Sequence, residues 1–174
     1  MFRKATPKDL GAIEAIYDAI HTQEEQGNAV IGWVRGIYPT RATAQEAVAA
    51  DDMFVQLSSD GSVVAAARIN KIQVPEYANA TWTVEAPADQ VMVLHTLVVD
   101  PSAAGHGYGK KFVAFYEDYA LENGCPYLRI DTNQKNTRAR ALYAKLGYKE
   151  VDIVPCQFNG IDGVQLVCLE KTLA

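Results

Sequence analysis

The chain has 174 residues, 49% of them hydrophobic and 21% charged, which predicts one soluble globular domain over residues 1–174. A formal net charge of −5 and no dense Lys/Arg block argue against a nucleic-acid partner or an anionic membrane surface. The sequence shows no transmembrane stretch and no signal-peptide core. Its three cysteines, Cys125, Cys156 and Cys168, are spaced neither for zinc nor as a redox pair, so we expect reduced thiols, no metal site and a cytoplasmic location.

Two helices are predicted in the first third of the chain. Apolar residues recur at helical spacing from Leu10 to Ile20, and Thr6 supplies a start signal for this helix. His21 lies late on the same helix and is expected at the surface. Thr43 is the predicted N-cap of the second helix, because Glu46 follows three residues later.

The remaining elements are strands, two further helices and one long connection. Strands are predicted over residues 2–5, 53–57, 63–72, 91–99, 127–131, 148–158 and 164–171, and helices over 110–122 and 136–146. Residues 73–90 form a connection that we expect to be partly extended and to contribute to function. This order of elements predicts a mixed-sheet α+β domain rather than a doubly wound one.

The segment Gly105-His-Gly-Tyr-Gly109 is the most informative part of the chain, because it joins a long apolar strand to a helix. Alternate glycines allow a ligand to approach the backbone, and the free N–H groups of the helix start favour an anion. The pattern predicts either a pyrophosphate site or a tight turn alone. Neither an NTP nor a dinucleotide is favoured, because Lys111 replaces the P-loop Ser/Thr and the third glycine comes one residue early for a dinucleotide fingerprint.

Two longer motifs decide between these alternatives. Val99-Asp-Pro101 precedes the glycine segment, and Asn136-x-x-Ala-x-x-Leu-Tyr-x-x-x-Gly-Tyr148 follows it. Together they resemble the GNAT superfamily of N-acetyltransferases at motif level over about residues 91–150. The resemblance implies the GNAT fold, a central mixed and mostly antiparallel sheet of about seven strands flanked by about four helices. Ala104 departs from the Arg or Gln of the family pattern, and Lys110 or Lys111 is the candidate replacement.

The resemblance also implies an activity. A GNAT enzyme of this kind would transfer the acetyl group of acetyl-CoA to a primary amine of a small molecule or a peptide, by direct attack in a ternary complex. The alternative is a non-catalytic GNAT-fold domain that binds an acyl-CoA as a sensor or scaffold, which the departure at Ala104 keeps open. The oligomeric state stays open as well, with a homodimer among the options.

Thirteen positions are implied to bind the coenzyme. They are Leu97, Val98, Val99, Ala104, Gly105, His106, Gly107, Tyr108, Gly109, Lys110, Asn136, Ala139 and Tyr143. By resemblance, the backbone of residues 97–99 pairs with the pantetheine arm and directs an N–H at the acetyl oxygen. His106 is expected to supply only its backbone N–H. Asn136 is either a contact to the arm or simply a helix N-cap.

Two side chains are implied to act in catalysis. Tyr143 would protonate the departing sulfur, although its spacing also fits a core aromatic. His95 would take a proton from the amine, and its ordinary pKa of about 6.5 suits that role. Strand alternation predicts that His95 shares a face with Leu97 and Val99. The alternative for His95 is a core histidine satisfied by its neighbours.

The acceptor site is the least specified part of the prediction. The resemblance locates it among the first two helices, the connection after the third strand and the last hairpin. Those segments contain Glu24, Glu25, Trp33, Tyr38, Tyr77, Trp82, Glu85 and Phe158. Aromatic rings with scattered carboxylates suit a small organic cation, but they are equally the ordinary content of half-buried loops.

Overall fold

The structure, a computed structural model, describes residues 1–174 and contains seven strands and four helices. In chain order these are β1 (Phe2–Lys4), α1 (Leu10–Glu25), α2 (Arg41–Ala49), β2 (Met53–Leu57), β3 (Val63–Asn70), β4 (Val91–Val99), α3 (Tyr108–Glu122), β5 (Tyr127–Asn133), α4 (Thr137–Lys145), β6 (Lys149–Phe158) and β7 (Ile161–Thr172). One sheet has the order β1-β2-β3-β4-β5-β7-β6, and only β4 and β5 run parallel. The predicted α+β fold is therefore confirmed.

Helices cover both faces of the sheet, as the alternation of the strands requires. Phe54 packs with α3 and α4 on one face, whereas the next residue, Val55, packs with α1 and α2 on the other. Successive side chains of a strand point to opposite faces, so one strand serves two cores. The longest helix, α1, has 16 residues, and no helix combines the length and the apolar character needed to cross a bilayer.

The connection over residues 73–90 forms no strand, although its backbone is extended at Val74 and Ala80. It forms two short 3₁₀ turns, Pro75–Asn79 and Ala88–Gln90, and covers the part of the second face that α1 and α2 leave open. Tyr77 is buried there, and the indole N–H of Trp82 donates to its carbonyl at 2.9 Å. Proline and aromatic residues here stabilise a packed cover instead of another strand.

Two predictions in the N-terminal region are wrong. The N-cap of α2 is Thr40, not Thr43. The hydroxyl oxygen of Thr43 instead accepts a hydrogen bond from the backbone N–H of Thr40 at 3.0 Å, which is the reciprocal half of a capping box. His21 is buried rather than exposed, because the loop between α1 and α2 folds over it and its Nε2 lies 2.9 Å from the carbonyl oxygen of Pro39.

A β-bulge interrupts the pairing of β3 with β4. Ala66 pairs with Val98 and Arg68 pairs with His95, so Ala67 opposes both Thr96 and Leu97. Thr96 has a φ of 52°, a left-handed conformation that is unusual for a β-branched residue.

The bulge shifts the alternation of β4, so that side chains after it point to the opposite face of the sheet from the one expected. Leu97 and Val99 pack on the α3 face, whereas Val98 packs on the α1 face. His95 lies on the α1 side with Arg68 and Asn70, so the predicted shared face with Leu97 and Val99 is wrong. The extra residue in the bulge is the physical reason.

Candidate active site

β4 and β5 separate at their carboxyl ends. Their parallel pairing stops at Leu94 and Ile130, after which β4 pairs only with β3 and β5 only with β7. Backbone N–H and C=O groups on the inner edges of the two strands are thus left without a strand partner. This separation of β4 from β5 opens a cavity of about 830 Å³, here called the main cavity.

The main cavity brings together most of the predicted coenzyme residues. It is lined by Leu97, Val98, Val99, Ala104, Gly105, Gly107, Tyr108, Gly109, Lys110, Asn136, Ala139 and Tyr143. Of the predicted coenzyme residues, His106 does not line it, and neither does the predicted catalytic residue His95. The ring of His106 is exposed, and its Nδ1 lies 3.0 Å from the carbonyl oxygen of Ala103. A backbone role for His106 stays a prediction.

The glycine loop presents bare backbone to the main cavity. Gly105 and Gly107 have φ values of 85° and 71°, and a Cβ on either would meet no protein atom within 4 Å. The first hydrogen bond at this end of α3 runs from Lys111 N to Gly107 O at 3.0 Å, so the N–H groups of residues 108–110 precede the helical ladder. The loop therefore fits an anionic group such as a pyrophosphate.

Two cations stand at the same part of the main cavity. Lys110 and Arg138 both line it and are exposed, and neither forms a salt bridge within the protein. Lys111 does not line it; its Nζ lies 5.3 Å from the centre of the Tyr108 ring. Lys110 is thus the lysine placed to compensate for Ala104. Sequence reasoning missed Arg138, although it lies two residues after Asn136 within the second motif.

Asn136 and Tyr143 lie on α4, beside the splayed strands. Asn136 is the N-cap of the helix, because its Oδ1 accepts the N–H of Ala139 at 3.1 Å, and it also lines the main cavity. Tyr143 is 6% exposed, and burial raises the pKa of its hydroxyl above the ordinary value. A buried phenol that stays protonated at neutral pH can donate a proton to an anion that forms beside it.

A second cavity, of about 470 Å³, opens on the α1 and α2 side of the sheet. It meets the main cavity at a shared wall formed by Tyr38, Thr96, Asp131, Phe158 and Asn159. The hydroxyls of Tyr38 and Thr96 are hydrogen-bonded across this wall. A molecule in the second cavity would therefore reach the gap between β4 and β5 from the side opposite the glycine loop.

His95 lies on the wall of the second cavity. Its Nε2 is 2.8 Å from Oδ1 of Asn70, which also accepts the N–H of Ile72, so Nε2 carries the proton in the neutral ring. Burial lowers the pKa of His95 to about 4, and the nearby charge of Arg68 adds to that effect. His95 is consequently neutral near pH 7 and a weak base.

Asp131 is the carboxylate that faces both cavities, and sequence reasoning did not find it. It lies on β5 just beyond the last residue that pairs with β4. The hydroxyl of Tyr77 donates to its Oδ2 at 2.6 Å. Burial raises the pKa of Asp131 to about 6, although the hydrogen bond from Tyr77 acts in the opposite direction. The sequence signal was a carboxylate at the end of an apolar strand, five residues before Asn136.

The residues predicted around the acceptor divide into two groups. Trp33, Tyr38 and Phe158 line the main cavity. Glu24 instead accepts the N–H groups of Ile31 and Gly32 at 2.6 and 2.8 Å, which fixes the loop after α1. The others line neither cavity: Glu25, which pairs with Arg35, and Tyr77, Trp82 and Glu85, which lie in the 73–90 segment. No group of three or more His, Cys, Asp or Glu side chains is arranged to hold a metal ion.

Comparison with known proteins identifies the family. A sequence model of the acetyltransferase (GNAT) family matches residues 13–148, most of the chain. The chain belongs to the GNAT acetyltransferase family. One GNAT relative is the uncharacterized N-acetyltransferase YhfO of Bacillus subtilis (strain 168), 36% identical over 61 residues. That match covers 35% of this chain and 41% of YhfO, less than half the length of the relative.

Solved structures agree on the fold. A GNAT acetyltransferase from Streptococcus agalactiae 2603 superimposes with a TM-score of 0.78 at 22% identity, over 100% of this chain and 95% of the other. YncA from Salmonella typhimurium, solved with its cofactor acetyl-CoA, gives a TM-score of 0.69 at 16% identity, over 100% and 94% of the two chains. These matches establish the GNAT fold for the whole chain.

Proposed function

We propose that this protein transfers an acetyl group from acetyl-CoA to a primary amine, by direct attack while both substrates are bound. The observation that carries the proposal is the opening between β4 and β5, which joins the bare glycine loop to Tyr143 within one cavity. Membership of the GNAT family and the acetyl-CoA held by YncA support the choice of coenzyme.

The coenzyme would be held mainly by backbone. The N–H groups at residues 105–110 would bind its pyrophosphate, with Lys110 and Arg138 supplying positive charge. The free edge of β4 at residues 97–99 would pair with the pantetheine arm. An N–H of that edge would stabilise negative charge on the acetyl oxygen, an effect typically worth about 3 kcal/mol. Asn136 and Ala139 would flank the arm from α4.

The two predicted catalytic residues have distinct places in this proposal. Tyr143 would give its proton to the departing thiolate, which its raised pKa and its position in the main cavity allow. His95 is the sequence-based candidate for taking a proton from the ammonium group. Because the pKa of His95 is about 4, a rate that depended on it would fall only at about pH 4 and below.

Two measurements test the proposal. Acetyl-CoA at about 100 times its dissociation constant should raise the free energy of unfolding by roughly 2.7 kcal/mol, seen as an upward shift of the melting temperature. A panel of primary amines should release free thiol from acetyl-CoA in the presence of the protein. A melting shift with no thiol release for any amine would favour the non-catalytic scaffold, and no melting shift would contradict the coenzyme assignment itself.

A further inference from the structure

The second cavity lies beside the proposed reaction centre. What is inferred from it rests on the proposed acetyl transfer. The splay gives the thioester one approach to the reaction centre, along the main cavity. The shared wall gives a second approach from the α1 and α2 side. A reaction between two bound substrates needs two such approaches that meet at one point.

Asp131 stands at that meeting point. It lines both cavities, and its charge contributes to the raised pKa of Tyr143, so the two side chains are electrostatic neighbours. One is a carboxyl that ionises near neutrality and the other a phenol that stays protonated. Groups whose environments separate their pKa values in this way are suited to the two halves of acid–base catalysis.

The charge balance of the second cavity favours a cation. Arg68 lines it, but its guanidinium is already paired with Asp52 at 3.1 Å and with Glu46 at 3.0 Å. The charge of Asp131 has no cationic partner among the side chains of the protein, since its hydrogen bond comes from the neutral Tyr77. An ammonium group is the ion that would match it.

The second cavity also offers polar contacts away from the ammonium site. Thr43, Glu46 and Asn159 line it. Hydroxyl, carboxylate and amide groups of this kind can fix the orientation of a bound small molecule through hydrogen bonds. A volume of about 470 Å³ suits a small molecule rather than a folded chain.

We propose that the second cavity binds a small primary amine with a hydrogen-bonding substituent, and that Asp131, held by Tyr77, takes the proton of its ammonium group. The N–H bond breaks as the proton moves to a carboxylate oxygen of Asp131, and the nitrogen lone pair then forms the N–C bond to the acetyl carbon. The C–S bond breaks, and the sulfur takes the proton of Tyr143. The nitrogen returns its second proton to the Tyr143 oxygen, and Asp131 releases one proton to solvent.

Other groups face Asp131 and bear on its titration. They are Tyr77 and Glu76 from the 73–90 segment, Tyr38 from the loop before α2, Tyr143 from α4, Cys156 from β6, Cys168 from β7 and His95 from β4. The pKa values of these tyrosines and cysteines are raised, and that of His95 is lowered to about 4. A proton that is exchanged near pH 6 at this wall therefore belongs to Asp131.

The first test titrates Asp131 directly, without any substrate. Carbon-13 NMR of labelled aspartate, with the Asp131 signal assigned by its loss in Asp131→Asn, should give a midpoint near pH 6. Tyr77→Phe removes a hydrogen bond to the ionised form and should raise the midpoint by about 0.5–1 pH unit. Tyr116→Phe is the matched control, because its buried hydroxyl donates to the carbonyl of Met92 instead, and the midpoint should not move. A midpoint near 4 that Tyr77→Phe leaves unchanged would overturn the inference.

The second test compares rates for ethanolamine, putrescine, tyramine and a ten-residue peptide. Asp131→Asn should lower kcat/KM by about 100- to 10,000-fold and remove the acid limb near pH 6, whereas His95→Gln should keep that limb. Tyr77→Phe should move the limb upward and recover activity at higher pH, which a purely structural role would not do. A normal rate per folded Asp131→Asn molecule, or a preference for the peptide, would overturn the inference. If acetyl-CoA binds and no amine reacts, the acetyl-transfer proposal fails, and the titration still decides on Asp131.

Discussion

The main cavity and the second cavity meet at one wall, yet they differ in what they offer a ligand: the first mainly backbone groups, the second mainly side chains. The main cavity offers backbone, with glycines 105 and 107 and the free edge of β4. The second cavity offers side chains from separate elements, among them Tyr17 from α1, Arg68 from β3 and Asp131 from β5. Backbone recognition needs particular residues in a contiguous run, whereas side-chain recognition needs only that distant residues meet. The first therefore leaves a motif in the sequence and the second does not.

Tyr143 offers the strongest test of this comparison, because the sequence motif that contains it predicts a proton donor in the main cavity. Tyr143→Phe should lower the rate by about 10- to 1000-fold while the affinity for acetyl-CoA stays nearly the same. The measurement is steady-state kinetics together with the coenzyme-dependent melting shift. Tyr148→Phe is the control, since its hydroxyl donates to Glu117 at 3.0 Å, away from the cavity, and should leave the rate per folded molecule unchanged. Equal effects of the two variants would show that Tyr143 acts as a core aromatic.

Gly107 tests whether the backbone of the glycine loop binds the coenzyme. A valine there would place its side chain in the open space before the N–H groups, so Gly107→Val should abolish a coenzyme stabilisation of roughly 2.7 kcal/mol. Gly61→Val is matched in strain, because Gly61 has a φ of 86° and open space around its Cβ, but it lies in the turn between β2 and β3. Melting curves with and without acetyl-CoA should show the shift in Gly61→Val and lose it in Gly107→Val. A shift that survives in Gly107→Val would move the pyrophosphate away from the loop.

The pH dependence of the free energy of unfolding tests whether Asp131 lies in a desolvated site at the wall of the second cavity. Its pKa is about 6 in the folded protein and ordinarily 3.8, so ionisation is less favourable in the fold than in the unfolded chain. The wild type therefore loses stability as the pH rises from about 4 to about 6, and Asp131→Asn does not share that loss. The free energy of unfolding of Asp131→Asn relative to wild type should increase by roughly 1–2 kcal/mol between pH 4 and pH 7.

Urea denaturation at several pH values measures this difference. Asp118→Asn, an exposed aspartate of α3, is the control and should show little pH-dependent change. A difference that stays constant from pH 4 to pH 7 would mean that Asp131 is not held in a desolvating site.

Lys110 and Arg138 test the smallest contribution to acetyl-CoA affinity, which is the side-chain charge added to a site built mainly from backbone. Lys110→Ala and Arg138→Ala should each weaken acetyl-CoA binding by about three- to tenfold, and less in high salt, because exposed charges are screened. Lys111→Ala removes the same charge from a residue that does not line the cavity. Isothermal titration calorimetry at two salt concentrations measures the loss of acetyl-CoA affinity in each variant. An equal loss in Lys111→Ala would indicate that the overall positive charge matters rather than a local contact.

Much of the fold followed from local pattern. The strand at 91–99, the helix after the glycine loop and the strand at 53–57 were predicted within two residues of their observed bounds, because apolar periodicity and turn residues lie within each segment. The 3₁₀ turns and the packing of the 73–90 segment were not predicted, because its aromatic residues pack against strands that come later in the chain. His21 was predicted wrongly for the same kind of reason, since the loop that buries it is not adjacent to it in sequence.

The sequence by itself determined the family, the glycine loop and the position of Tyr143, because each depends on residues that are neighbours along the chain or one or two helix turns apart. Only the tertiary structure decided which side His95 faces, because one bulged residue at Thr96 reverses the alternation of β4. It also decided that Asp131 meets Tyr77, 54 residues away in sequence, at the wall between the two cavities. Such contacts follow from how strands separate and loops pack, and these depend on the whole sheet rather than on any one segment.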